Sequence, residues 1–273
     1  MNYKLSLVVP LIILALSLGY LLWQVSTIGL KLDIDLKGGT LIIAESESVL
    51  DENKIEEVLR DYDAKIRIAS GLTGYSVFIE FDASIDSKDV LKTLSDNGYD
   101  FDEYSVQTVG SSLGAASLQQ ALVVLVVAFV FMAITILFIF KTPIISFYIT
   151  LAPVFDIIET LAISQLIGIK LSLASFAALL MIIGYSVDDD VMITTRILKG
   201  TGEIKEKLRD SYKTSFTTTA ATMVALIALY TMSLSVVITQ IASILLIGLL
   251  IDLQNTWLFA TPLLRWHLER KSK

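Results

Sequence analysis

Long apolar runs dominate the chain, and one long polar stretch interrupts them after the first run. Residues 5–30 and 105–140 contain no Asp, Glu, Lys or Arg, and each is long enough for the roughly 20 residues that a membrane-spanning helix needs. Four more hydrophobic segments follow, at 142–169, 171–198, 214–232 and 236–264. Asp156 and Glu159 interrupt the first of these, Asp188, Asp189 and Asp190 the second, and Asp252 the last; the remaining one is rich in threonine. The pattern predicts an α-helical polytopic membrane protein with six spans. The first run is too long for a signal-peptide core, and 24–29 offers no small-x-small cleavage site, so it reads as a retained anchor.

Between the first two spans the period of the pattern changes. Residues 40–45, 65–69, 75–81 and 101–109 read as strands, with Tyr75, Val77, Ile79 and Phe81 alternating along the third. Residues 52–61 read as a helix capped by Asp51, and Val90, Leu91 and Leu94 mark a second, ended by Asn97-Gly98. Gly71 and Gly74 suit a hairpin. The order βαββαβ predicts an α+β, ferredoxin-like domain. Three parts result: 1–30 (tail and first span), 31–110 (the domain) and 111–273 (the other five spans, a short basic loop and a basic tail).

Charge separates along the same lines. The 31–110 segment holds eighteen acids and eight bases, net −10; the remainder holds ten acids and thirteen bases, net +3. The short-loop bases Lys4, Lys141, the run from Arg196 to Lys213, and Arg265 to Lys273 fall on one side of a six-span bundle, and Lys170 is the exception. By the positive-inside rule both termini are cytoplasmic and 31–110 is extracytoplasmic. The net charge of −7 argues against nucleic acid as a partner. With no cysteine, disulfides, thiol catalysis and zinc–cysteine sites are excluded. No nucleophile–base pair and no phosphate-cradling loop is evident, so neither an enzyme nor a cofactor or metal is expected.

The strongest chemical signal is acidic. An acid at a helix centre costs about 2.5–3.5 kcal/mol on insertion scales, and such residues usually mark ion or proton pathways. Asp188, Asp189 and Asp190 spread over more than half of a helix circumference, so at least one must point inward. Asp188 and Asp189 are the favoured pair, because Asp188 lies eight residues, about 12 Å, before Arg196 at the helix end. Thr217, Thr218, Thr219 and Thr222 come level with them on the next span, as supporting hydroxyls. Asp156 and Asp252 form a deeper level, with Glu159 one turn from Asp156.

Four motifs at and around these residues resemble the SecD/SecF family of protein-export membrane proteins, specifically the archaeal SecF type, within the broader resistance-nodulation-division architecture. They are Asp35-Leu36-Lys37-Gly38-Gly39, Val109-Gly110-Ser111-Ser112-Leu113-Gly114, Asp156 in the third span, and the run from Ile183 and Gly184 through Tyr185 to Asp189. Ser111 replaces a proline of the pattern, Phe155 a histidine, and Asp188 an asparagine. The acid of the sister SecD motif falls at 188 and that of SecF at 189; both are present here. Thr214 beside Lys213 stands where bacterial members often carry an arginine, and Thr195-Arg196 where they carry Asp-Arg. The resemblance implies an auxiliary subunit that joins a SecD-like six-span chain beside the Sec translocon in the cell membrane. Surrounded by lipid, it would use the proton gradient to draw secreted polypeptide outward, with Asp188, Asp189, Asp190, Asp156 and Asp252 as proton carriers. The same architecture also admits half of a small-molecule or lipid transporter. An intramembrane aspartyl protease would need Tyr-Asp on one membrane helix and Gly-x-Gly-Asp on another; Phe155-Asp156 and the run from Gly184 to Asp188 give neither.

Overall fold

A computed structural model describes residues 7–46, 50–70, 75–101, 103–233 and 235–271. Lys4, Gly71, Gly74 and Lys273 lie outside the described residues. Two parts make up the fold: a small antiparallel sheet with two helices, and a bundle of long helices.

Helix α1 (Val8–Thr27) leads through a one-turn helix α2 (Ile34–Lys37) into strand β1 (Gly39–Ser46). Helix α3 (Glu52–Val58), strands β2 (Lys65–Ser70) and β3 (Tyr75–Phe81), helix α4 (Ser87–Asp96) and strand β4 (Tyr104–Val109) follow. The strands lie in the order β2-β3-β1-β4, all antiparallel, with Ile42 opposite both Ile79 and Val106. Alternation along β1 and β3 sends Ile42, Val77 and Ile79 to the face covered by Ile55 and Leu59 on one side and Val90 and Leu94 on the other. Asp51 and Asp86 cap the two helices by accepting from the amides of Asn53 and Lys88. The first helix is shorter than its sequence suggests. Leu59 leaves the helical region, a 3-10 turn (Arg60–Tyr62) follows, and Asp63 at φ 48° turns the chain into β2.

The bundle holds α5 (Ser111–Phe140), α6 (Pro143–Leu166), α7 (Leu173–Lys199), α8 (Ile204–Met232), α9 (Val236–Asn255), a π-helical turn (Thr256–Ala260) and α10 (Thr261–Lys271). Five helical stretches among the described residues are long and apolar enough to cross a membrane, the last being Val236–Trp266. The 27-residue α7 falls outside that group because Asp188, Asp189 and Asp190 all fall within every stretch of it long enough to span. Helix α8 starts ten residues before the apolar run at 214, because its charged first turns are built from good helix formers. Helix α6 packs on both α7 and α9, and its buried residues include Ile149, Asp156 and Glu159.

Two polar devices fasten the small domain to the bundle. At the end of α1, Gln24 donates to Gln165 Oε1 at 2.9 Å, the Lys31 amide donates to the same oxygen, and Leu32 pairs with Leu171 in a short parallel bridge. Asp33 then accepts from Gln240 Nε2 at 2.9 Å, and Gln240 Oε1 accepts from Ser172 at 2.7 Å. Further out, the buried Glu80 of β3 sits between the ammonium groups of Lys37 and Lys170.

Burial alone would push the Glu80 carboxyl up, but the hydrogen bonds and charges of the two lysines outweigh it and hold the group below the usual carboxylate range. A lowered carboxyl stabilises the folded state above its ordinary value, and that contribution is lost as the pH falls through the depressed one. Stability of the wild type should therefore decline as the pH drops below about 4.5, the ordinary glutamate value. Glu80→Gln should cost about 1–3 kcal/mol near neutrality and flatten that decline. Unfolding in detergent, followed by tryptophan fluorescence across pH, measures both.

Candidate functional site: a carboxyl cluster inside the bundle

Four carboxyl groups meet in the bundle interior, and the elements that carry them explain why. Pro153 lies within α6 and cannot donate a backbone hydrogen bond; about one turn later comes Asp156 and a further turn on Glu159, both fully buried. On α7, the row Leu179, Ile182, Ile183, Ser186, Asp190, Ile193, Ile197 repeats at three- and four-residue steps and defines the buried face. Asp252 lies near the end of α9, with the π-helical turn immediately after Asn255. Wider turns of this kind recur at functional sites, because they re-aim side chains within an otherwise regular helix.

Asp156 is the centre. Its Oδ2 accepts from Ser186 Oγ at 2.6 Å and its Oδ1 from Asn255 Nδ2 at 2.9 Å. The same Asn255 amide donates to Glu159 Oε2 at 3.2 Å. Thr256 Oγ1 lies within hydrogen-bonding reach of Asp190 Oδ1 at 3.3 Å and Asp252 Oδ1 at 3.4 Å. Glu159 Oε1 and Asp190 Oδ2 are buried and, among the described residues, have no hydrogen-bond partner. Among the described residues no lysine or arginine forms an ion pair with any of the four acids. Nor is any group of three or more His, Asp and Glu among them arranged to hold a metal ion. Four acids in so small a space cannot all be charged without a counter-ion; protons can supply the missing positive charge.

A sequence profile described as "Protein export membrane protein SecD/SecF, C-terminal" matches residues 89–270, a stretch that contains the entire cluster. The chain belongs to the SecD/SecF family of protein-export membrane proteins. Protein-export membrane protein SecF of Methanolacinia petrolearia is 34% identical over 278 residues, which cover 99% of this chain and 95% of the relative. SecF of Methanothermobacter thermautotrophicus is 36% identical over 256 residues, covering 89% and 86%. The solved structure of SecDF from Thermus thermophilus, described as a translocon-associated membrane protein, superposes with a TM-score of 0.75 at 18% identity. It aligns with 98% of this chain, which spans 38% of that longer one, and the likeness establishes a shared fold.

Several residues expected from the sequence sit elsewhere in this SecD/SecF chain. Asp190 is buried, Asp189 half-buried and Asp188 exposed, the reverse of the expected order. Asp188 lies two residues from both Ser186 and Asp190, roughly 200° round the helix from each, so when those two face inward Asp188 faces out. Asp189 turns toward α8, where Ser215 Oγ donates to it at 2.6 Å. Thr217, Thr218 and Thr222 do not support the acids: their hydroxyls donate to backbone carbonyls one turn back in their own helix. The buried face of α8 is instead Ser211, Ser215, Thr219 and Leu226. Arg196 reaches Thr214 Oγ1 at 2.8 Å and the Asp210 carbonyl, bracing α7 against α8.

The two glycine motifs come together at the edge of the bundle. Gly38 has φ +86°, and a Cβ built on it would lie 2.6 Å from the Ser111 Cα; one on Gly114 would lie 2.6 Å from the Gly38 nitrogen. Gly39, at φ +137°, passes close to the Phe81 carbonyl. Asp35 accepts from Gln107 at 3.0 Å; burial and the charge of Asp33 push its carboxyl up, and the Gln107 bond partly opposes them. Gly110 and Gly184 have open space around them. Asn255, Ser186 and Thr256 carry one signal in the sequence, a polar residue one turn from an intramembrane acid; Ser215 carries none.

Proposed function

We propose that the chain is an auxiliary subunit of the Sec protein-export machinery. In this reading it pairs with a SecD-like six-span chain beside the translocon and uses the proton gradient to help move secreted polypeptide. The observation that carries the reading is the group Asp156, Glu159, Asp190 and Asp252, buried together and, among the described residues, without an ion-paired cation. A proton entering or leaving such a group changes both its charge and its hydrogen bonds to α7 and α9, which is how a proton flux can be converted into helix movement. Asp188 and Asp189 then serve as the route between this group and a partner subunit. In the proposed arrangement α7 is the fourth of six spans, and both termini are cytoplasmic. Residues 31–110 form an extracytoplasmic, ferredoxin-like domain, the part that meets the polypeptide.

The outer face of α7 supports the partner. Met181, Gly184, Tyr185 and Asp188 follow one another at three- and four-residue steps, and all are exposed on the lone chain. An acid turned to lipid is costly, so a second protein covering this stripe is favoured. The small residue Gly184 allows another helix to approach closely. Half of a small-molecule transporter would present a similar stripe, but the match to protein-export relatives along nearly the whole chain favours export.

Cysteines introduced at Met181 and Tyr185 should cross-link in native membranes to a second six-span membrane chain. The same change at Val224, on the exposed side of α8, should not. Asp188→Leu should weaken that association by about tenfold, seen as loss of co-purification at unchanged protein level. Cross-linking to lipid alone, or export of a reporter unaffected by deleting the gene, would overturn the proposal.

A further inference from the structure

At the membrane face that carries the small domain, a cavity of about 230 Å³ opens between sheet and bundle. Its floor is the start of α9, where Val236, Thr239 and Ser243 share one side of the helix; Ile167 and Ile169 close the loop side. Its roof is the β2–β3 surface. There the Arg67 guanidinium stacks over the Phe78 ring at 5.4 Å and, among the described residues, forms no ion pair with a carboxylate. Lys170, committed to Glu80, adds a second cation on the wall. A second cleft of about 370 Å³ continues from the same Arg67, Phe78 and Lys170, and its lining brings in the exposed acids Glu52 and Glu56.

The position fixes the depth. Helix α6 ends at Leu166 and α9 begins at Val236, so both cavity walls are ends of helices long and apolar enough to cross a membrane, which is where lipid headgroups would lie. The contents fix the chemistry. A guanidinium stacked on a ring keeps its N–H edge free, and that edge matches two oxygens of a phosphate. The carboxylates of Glu52 and Glu56 repel a headgroup that carries negative charge alone and attract one with an ammonium group beyond its phosphate. Ile167, exposed beside the mouth, offers a path for an apolar tail.

We propose that this double cavity binds an aminophospholipid headgroup, the phosphate on Arg67 and the amine over Glu52 and Glu56. The site is separate from the carboxyl cluster and does not depend on the export reading. Bound there, a lipid bridges the sheet and the start of α9.

The full chain in detergent, titrated with phosphatidylethanolamine and phosphatidylglycerol and followed by native mass spectrometry, tests the assignment. Phosphatidylethanolamine should bind the more tightly. Arg67→Gln should weaken it by about tenfold, the scale of one charge-assisted contact, with Arg67→Lys intermediate. Glu52→Gln with Glu56→Gln should erase the preference for the amine. Arg67, Glu52 and Glu56 are exposed, so an unchanged unfolding midpoint without lipid identifies folded variants. Equal affinity for the two lipids, or an affinity indifferent to Arg67→Gln, would overturn the proposal. So would displacement of the lipid by millimolar O-phosphoethanolamine, which would mark a site for small soluble phosphates.

Discussion

On the proposed role, Asp156→Asn combined with Asp190→Asn should abolish the gradient-dependent part of export while leaving a folded protein. Asparagine keeps the size of aspartate and an oxygen that accepts from Asn255 or Thr256, and Ser186 can accept from the new amide. What disappears is the ability to gain and lose a proton. Removing groups that transfer protons commonly costs a factor of 10² or more, and a loss of about a hundredfold in gradient-driven export is expected. Stability should be equal or higher, since two ionisable groups leave an apolar interior. The measurement is export of a reporter into inverted vesicles with and without an imposed pH gradient, beside an unfolding curve. Undiminished gradient dependence at normal protein level would remove the cluster from the mechanism.

The second large effect concerns the fold. Gly114→Leu should destabilise the protein by about 3 kcal/mol or more, because a side chain there meets main-chain atoms of Lys37 and Gly38 on an element that cannot give way. Gly38→Val meets Ser111 in the same manner and adds the strain of a β-branched residue at φ +86°. Gly110→Ala and Gly184→Ala have open space and should change the unfolding midpoint little, within about 0.5 kcal/mol. Gly184→Ala separates two roles: a weakened association with a partner at unchanged stability would tie that glycine to the outer stripe of α7.

Much of this arrangement could be read from the residues, and the gaps have physical causes. The strand at Tyr75–Phe81 follows from its alternation, and the apolar runs mark the long helices, because both are properties of local periodicity. That Asp156, Glu159 and Asp252 lie deep follows from their distance to the flanking bases. Which of three adjacent acids points inward is a question of helix phase. The triple run carries no phase information, whereas Ile182, Ile183, Ile193 and Ile197 do, and they select Asp190. The threonines of α8 misled because a hydroxyl in a membrane helix can be satisfied by its own backbone. Asn255 and Thr256 reach the acids beside a π-helical turn, and no local pattern marks that turn. The burial of Glu80 depends on Lys37 and Lys170, at positions far apart in the sequence, and no local pattern marks it.

Both connections of the small domain to the bundle cross at one place, where the backbone between α2 and β1 touches the first turn of α5. Because the two chain crossings coincide, a rotation about them would stretch neither one, and the polar fastenings Asp33–Gln240 and Glu80–Lys170 would resist it. Glu80, gripped on one side by a lysine beside the pivot and on the other by a lysine across the gap, acts as its brake.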